Sequence, residues 1–322
     1  MTGTSTHIED EAVVPDAMAG KRLDQAAADL FPDHSRSRLQ QWIEAGVLTV
    51  DGAARAPKQK LIGGERLRLA VDVERADDWA AEDLPLLVVH EDEDILVIDK
   101  PAGLVVHPAV GHQHGTLVNA LLHYDPSLAT LPRCGIVHRI DRDTTGLLVV
   151  ARTLEAHTAL VRQLQDKSVW REYEAVVNGL VARDGRVEAA IGRHPTDRKR
   201  MAVVVGGKPA VTHYTVVQRF RSHTHVRLKL ETGRTHQIRV HMAHLKHPLV
   251  GDPVYGGRAV VPTHAEPELG ELLRGFSRQA LHATRLGLIH PGSGEFMGWH
   301  SPLPDDMVVL LDLLAEDLRV NG

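Results

Sequence analysis

Apolar positions recur at helical spacing near the N-terminus and at strand spacing beyond it. Leu23, Ala26, Ala27 and Leu30 fall on one helical face, and Pro32-Asp33 stops the run. Ser35 or Ser37 caps a second predicted helix with Leu39, Trp42 and Ile43 on one side, closed by Gly46. VLTVDG then predicts a strand entering an Asp51-Gly52 turn, and KLIGGERLRLAV a further strand or strand pair. From Leu86 the pattern changes. LLVVHED, ILVIDK, GLLVVART, YEAVVNGLV, THYTVVQRF and HVRLKLETG are β-branched runs bounded by glycine, proline or charge, and they predict strands. Helical periodicity returns at TLVNALLHY, LEAHTALVRQLQDK, THQIRVHMAHLK and MVVLLDLLAEDL. Strands with irregularly spaced helices fit an α+β domain better than a regular βαβ repeat. Gly206-Gly207-Lys208 lacks the rest of a phosphate loop and predicts a hairpin turn.

These shifts divide the chain into a polar, acidic tail expected to be disordered (1–19), a small helix–strand unit (20–72), a linker rich in Asp, Glu and Ala (73–85), and a larger α+β domain (86–322). With 322 residues, 43% of them hydrophobic, there is ample chain for a core. No apolar run reaches the ~18 residues of a membrane helix. The opening MTGTSTHIEDEAVV lacks the order of a signal peptide. The single cysteine, Cys134, excludes an internal disulfide framework and a cysteine-based zinc finger, suits a reducing cytoplasm, and reads as an inert buried thiol.

The net charge of −5 conceals a strong asymmetry. Residues 193–247 carry twelve Lys and Arg against Asp197 and Glu231, whereas 69–100 carry eleven acids against Arg75 and Lys100. Such segregation points to a nucleic-acid face; the plainer alternative is solvated charge paired across strands. The 21 histidines suggest a metal. However, neither His241, His244 and His247 nor His107, His112 and His114 include the i, i+4 pair with an adjacent glutamate of a zinc-hydrolase helix. No metal and no cofactor are expected.

The stretch richest in chemistry is GIVHRIDRDTTGLLVVART, residues 135–153. His138, Arg139, Asp141, Arg142 and Asp143 are flanked so closely by apolar strands that they must occupy a turn at a sheet edge or a cleft floor. Taken alone, an aspartate between two arginines is as readily a structural ion pair. Together with DKPAGLVVHP (99–108), REYEAVVNG (171–179), LETGRTHQIRVHMAHLKHPLVGDPVYG (230–256) and LHATRLGLIHP (281–291), it resembles the RNA pseudouridine synthases over residues 21–305. HRID stands where that family commonly has HRLD, so Ile140 alters packing and not chemistry. The N-terminal unit, through RLDQAAADL, SRSRLQQWIEAG, VLTVDG and GGERLRL, resembles the S4 RNA-binding domain.

The resemblance implies a mixed, mostly antiparallel catalytic sheet with flanking helices around a central RNA-binding cleft, plus the small S4-like α+β domain. It implies that Asp141 is the catalytic carboxylate, acting at C1′ or through a glycal route. Arg239 would be its ion-pair partner, Tyr173 the ring that stacks on the base, and Arg139 the residue that enters the gap left by the flipped nucleotide or binds a neighbouring phosphate. Lys21, Arg22, Arg36, Arg38, Lys58, Lys60, Lys100, Arg234 and His236 are the candidate RNA contacts. The expected partner is RNA, foremost large-subunit ribosomal RNA with a ribosome precursor or transfer RNA as alternatives, acted on by a monomer without membrane attachment. Low aromatic content (4%) favours recognition of a folded loop by shape and phosphate placement. Two other readings compete: a non-catalytic RNA-binding assembly factor, and a nuclease or hydrolase using Asp141, Asp143 and a divalent ion.

Overall fold

Two units, Met1–Asp78 and Trp79–Gly322, make up the chain; the computed structural model describes residues 5–32, 34, 36–74, 79–108, 113–197 and 200–322. The first contains β1 (Ser5–Val13), α1 (Leu23–Leu30), α2 (Arg36–Glu44), β2 (Leu48–Val50) and β3 (Arg66–Glu74). Its strands form an antiparallel sheet in the order β1-β3-β2. Leu23, Ala26, Ala27, Leu39, Trp42 and Ile43 from the helices bury against Leu48, Val50, Leu67 and Leu69 of the sheet.

β1 overturns the expectation of a disordered tail. Ile8 and Ala12 turn toward that apolar cluster, while Glu9 and Glu11 reach Arg68 (2.6 Å) and Arg66 (3.1 Å) on β3. The acidic run is therefore half of a cross-strand charge ladder whose basic half, Arg66 and Arg68, lies on β3. The linker boundaries also need correcting. β3 continues to Glu74, and residues from Trp79 onward pack on the second unit. Trp79 stands edge-on to His107 with ring centroids 4.8 Å apart. The Glu82 carboxylate accepts from His114 and the Gly115 amide, and buried Asn119 donates to the Ala80 carbonyl (2.8 Å). This segment braces a helix where its composition suggested a free connector.

The second unit comprises β4 (Leu87–Glu91), β5 (Ile95–Lys100), α3 (Leu117–Tyr124), β6 (Thr145–Ala151), α4 (Leu154–Gln165), β7 (Trp170–Asn178), β8 (Gly185–Glu188), β9 (Ile191–Arg193), β10 (Met201–Val203), β11 (Val211–Arg219), β12 (His223–Leu230), α5 (Gln237–His244), α6 (Pro267–Gly275), β13 (Leu281–Ile289), β14 (Phe296–His300) and α7 (Asp305–Asn321). Eight strands run in the order β4-β5-β6-β13-β7-β12-β11-β8, with β14 added to β13. Among the described residues the β6–β13 pair is parallel and the other pairings of this sheet are antiparallel. β9 and β10 form a separate hairpin.

Both faces of β5 and β6 are covered. Leu96, Ile98, Leu148 and Val150 join one apolar cluster with α3 and α5, and Ile95, Val97, Leu147 and Val149 join another with α4. Burial on both sides explains why ILVID and GLLVVA read as continuous apolar runs. On β7, Tyr173, Ala175 and Val177 belong to the α3/α5 cluster, so by strand alternation Arg171 points to the same side. Gly146 admits no side chain: at φ +108°, an added Cβ would lie 2.4–2.8 Å from the backbone of Ala283 on β13. The glycine of DTTG thus lets the two parallel strands meet beside Asp141.

Candidate active site

Asp141 opens a tight turn closed by the Thr144 amide donating to the Asp141 carbonyl (3.1 Å). Three side chains hold that turn from outside. Lys100 Nζ donates to the carbonyls of Arg142 (2.7 Å), Pro101 (2.7 Å) and Leu104 (3.0 Å). Arg278 Nη1 donates to the Asp143 carbonyl (3.3 Å) while its fork grips Asp306 of α7, and Gln279 donates to Thr144 Oγ1 (3.0 Å). The Asp141 carboxylate is consequently presented by a fixed backbone.

Arg239, on the buried face of α5, serves two aspartates. Its Nε and Nη2 fork onto Asp252 at 2.7 and 2.8 Å, and the remaining Nη1 donates to Asp141 Oδ2 at 3.0 Å. The amides of Val254 and Tyr255 also donate to Asp252, and the Tyr255 ring lies 5.1 Å from the guanidinium carbon. Burial opposes the charge on Arg239, but Asp252 and Asp141 more than offset it and raise its pKa. Burial likewise opposes ionisation of Asp252, and the hydrogen bonds and charge of Arg239 hold its carboxyl below the usual range. Asp252 side-chain exposure is 0%, against 18% for Asp141. One carboxylate is structural and enclosed; the other faces the cleft.

The THQIR segment places the rest of this wall. His236 adopts a left-handed conformation (φ +56°) at the start of α5, and buried Gln237 latches the helix to the carbonyl of Val211 and the hydroxyl of Thr212. His236 Nδ1 meets the Tyr255 hydroxyl at 2.9 Å, and that hydroxyl accepts from the Met201 amide. With Tyr255 donating to Nδ1, the neutral ring carries its proton on Nε2, 4.0 Å from Asp141 Oδ1. Burial lowers the His236 pKa and Asp141 pulls it up, with burial prevailing.

Asp141, Arg139, Tyr173, Arg234, His236 and Arg239 all line one cleft of about 70 Å³. Tyr173 is 6% exposed, and burial pushes its phenol pKa up, keeping it a proton donor. Arg139 is exposed and has no hydrogen-bond or ion-pair partner among the described residues. Ile140 packs in the core at 5% exposure. Asp143 is forked by Arg142 at 3.0 Å, and neither Asp141 nor Asp143 joins a three-ligand cluster among the described residues. The one such cluster, Asp92, Asp94 and His290, has Asp92 already bridging His90 and His290. Of the histidine sets, His241 and His247 bond to backbone carbonyls and a threonine hydroxyl; His112 lies outside the described residues.

Lys100 is a correction. It was expected to contact RNA, but it is 1% exposed and its ammonium is saturated by three carbonyls. Burial pulls its pKa down to about 7, with Asp143 and Asp141 pulling the other way. Replacing Lys100 with Met would strand those carbonyls; about 2–4 kcal/mol of stability should be lost in urea unfolding, with a fall in turnover larger than any change in RNA affinity. In the first unit, Lys58 and Lys60 are exposed, Lys21 pairs with Asp29 and Arg22 with Asp24, and the side chains of Arg36 and Arg38 lie outside the described residues.

Sequence reasoning missed Asp252, Lys100 as a brace, Arg278 and Gln279. Only Asp252 left a signal, as the acid of GDPVYG, spaced thirteen residues from the arginine it holds.

Residues 94–244 match the family model described as RNA pseudouridylate synthase. The chain is 59% identical over 313 residues to "Ribosomal large subunit pseudouridine synthase D" of Pseudomonas aeruginosa, covering 97% of this chain and 98% of that one. It is 53% identical over 310 residues to the protein of that name from Vibrio parahaemolyticus, and 54% over 309 residues to that of Escherichia coli, each covering 96% of this chain and 95% of the relative. Among solved structures, "Human RNA Pseudouridylate Synthase Domain Containing 1" aligns with a TM-score of 0.54 at 26% identity, covering 75% of this chain and 98% of that one.

Proposed function

The chain belongs to the RNA pseudouridylate synthase family, and from that premise we propose that it isomerises particular uridines of large-subunit ribosomal RNA with Asp141 as the catalytic carboxylate. The observation that carries the site assignment is the division of Arg239 between enclosed Asp252 and cleft-facing Asp141. A carboxylate so held is aimed, with Oδ2 on Arg239 and Oδ1 clear for the sugar.

The reaction breaks C1′–N1, turns the base, joins C1′ to C5, releases the C5 proton and leaves a proton on N1, with no net oxidation. Asp141 either attacks C1′ or removes the C2′ proton to give a glycal; both use the same presented oxygen. Tyr173 supports the detached base by stacking, its protonated hydroxyl beside the cleft. Arg139, with no partner among the described residues, is free to enter the gap from which the uridine is drawn or to hold the phosphate beside it; drawing the base out costs about a few kcal/mol. Arg234 and His236 border the same opening and contact the strand.

The test uses unmodified large-subunit RNA and transfer RNA, each carrying tritium at C5 of uridine, with chelator present. Release from the ribosomal RNA is expected. Release from transfer RNA alone would reassign the target, and binding without release would favour a non-catalytic assembly role.

We also propose that the first unit is an S4-like module holding RNA phosphates through Lys58 and Lys60, and Arg36 and Arg38 on α2. Removing residues 1–78 should leave the single-turnover rate at saturating enzyme within about threefold while weakening RNA affinity about tenfold, with a shallower salt dependence. Unchanged affinity in a filter-binding assay would sink that assignment. Among the described residues no helix is long and apolar enough to cross a membrane; a cytoplasmic monomer is the form proposed.

A further inference from the structure

Beside the Asp141 cleft lies a second, larger cavity of about 580 Å³. Arg139, Arg171 and Gly233 line both hollows. Its volume falls within the range of small-molecule sites, roughly 300–1,000 Å³, and the cleft alone does not. Val105, Val106, Ile136 and Leu164 give it an apolar lining, and Arg133 contributes an exposed cation.

Three polar groups on its walls are unsatisfied or available. Arg171 is 6% exposed, donates through Nη2 to the Glu231 carbonyl at 3.3 Å, and leaves its buried Nε without a partner. His107 Nδ1 lies 3.1 Å from the Pro108 carbonyl, to which it can only donate, and its buried Nε2 has no partner among the described residues; in the tautomer with the proton on Nδ1, Nε2 is an acceptor. His138 Nε2 accepts from the Val149 amide at 3.2 Å, which puts the proton of this neutral ring on Nδ1. Burial, followed by the charge of Arg171, keeps that ring neutral. A buried guanidinium N–H and a buried imidazole acceptor left unpaired are costly in a resting protein, and a ligand with an acidic oxygen and an N–H edge would satisfy both.

The arrangement matches a dinucleotide step. Two neighbouring nucleotides are joined by one anionic phosphodiester, and here two neighbouring hollows share a wall built from two arginines. We propose that the larger cavity receives the base of the nucleotide adjacent to the target uridine, with Arg139 and Arg171 holding the phosphodiester between them. This rests on the synthase reading and extends it: two bases, not one, are drawn from the RNA. The apolar floor takes the face of the second base, and His107 Nε2 accepts from an N–H on its edge, a donor that all four RNA bases carry.

The experiment uses the full chain and a synthetic stem-loop of the target RNA, tritiated at C5 of the target uridine. The nucleotide on its 5′ side or its 3′ side is made abasic in turn. One of these changes should lower kcat/KM by about tenfold or more, the loss expected when a stacked base is removed. Leu164→Trp, which fills the cavity from α4, should cost a similar factor on intact RNA and little more on the sensitive abasic RNA; His107→Ala serves the same cycle if the larger residue impairs folding. Both abasic RNAs reacting within about twofold of the intact one, or protein and RNA losses that multiply, would overturn the second pocket while leaving the synthase intact. No tritium release from intact RNA by the wild type would sink the synthase reading, and this pocket with it.

Discussion

Asp141→Ala should reduce tritium release by at least about a thousandfold while leaving RNA affinity within about twofold, because it removes the group that acts on the sugar and no phosphate contact. The fold should tolerate the change. Among the described residues the Asp141 side chain takes one hydrogen bond, from Arg239 Nη1, and its turn is held by Lys100, Arg278 and Gln279 through other atoms. Arg239 retains its fork on Asp252, so the guanidinium stays in place. Asp141→Asn separates charge from shape: it keeps an oxygen for Arg239 and should be as inactive as the alanine variant. An asparagine enzyme retaining a tenth of the wild-type rate in single-turnover assays would show that the carboxylate is not the reacting group.

Arg239→Ala is expected to damage both stability and activity. Asp252 would be left ionised at 0% exposure with only two backbone amides for company, and breaking a buried pair on one side costs about 3–5 kcal/mol. Urea unfolding should show that loss as a lower midpoint with an unchanged slope. Arg239→Lys should recover little, since an ammonium cannot fork onto Asp252 and still reach Asp141. The double change Arg239→Met with Asp252→Asn should restore much of the stability and none of the activity. Full recovery of tritium release in that variant would show that Asp141 needs no cation beside it.

The sequence made the active-site strands, turn and charged loop legible because their signals are local. GLLVVART announces a strand buried on both faces, and charges packed between two such runs have nowhere to go but a turn. Asp141, Tyr173 and Arg239 were assigned by resemblance along the chain; the structure brings them, with Arg139, to one cleft. What stayed hidden was partnership at long range. β1 was misread because its acids look solvated until Arg66 and Arg68 are set beside them. Lys100 was misread because a lysine in a motif looks like a phosphate contact, and nothing in DKPAG reveals that the carbonyls of Pro101 and Leu104 fold back on it. Composition likewise could not distinguish the bracing segment after Trp79 from a loose connector. The second cavity had no sequence signature, since its walls come from five separated places between Val105 and Gly233.

The position of β13 also governs how the protein is made. β13 lies between β6 and β7 in space, but its residues, Leu281–Ile289, are translated about a hundred residues after β7 ends at Asn178. A nascent chain therefore carries two finished strands whose shared neighbour does not yet exist, each with an open apolar edge able to pair with the wrong partner. At about 5–20 residues per second that interval is of order 5–20 seconds. The N-terminal unit, complete by Asp78, can fold long before it. Biogenesis thus splits into an early independent module and a late all-or-none closure, and the second step is where holdase chaperones would be most needed and where C-terminal truncations would aggregate instead of losing activity by degrees.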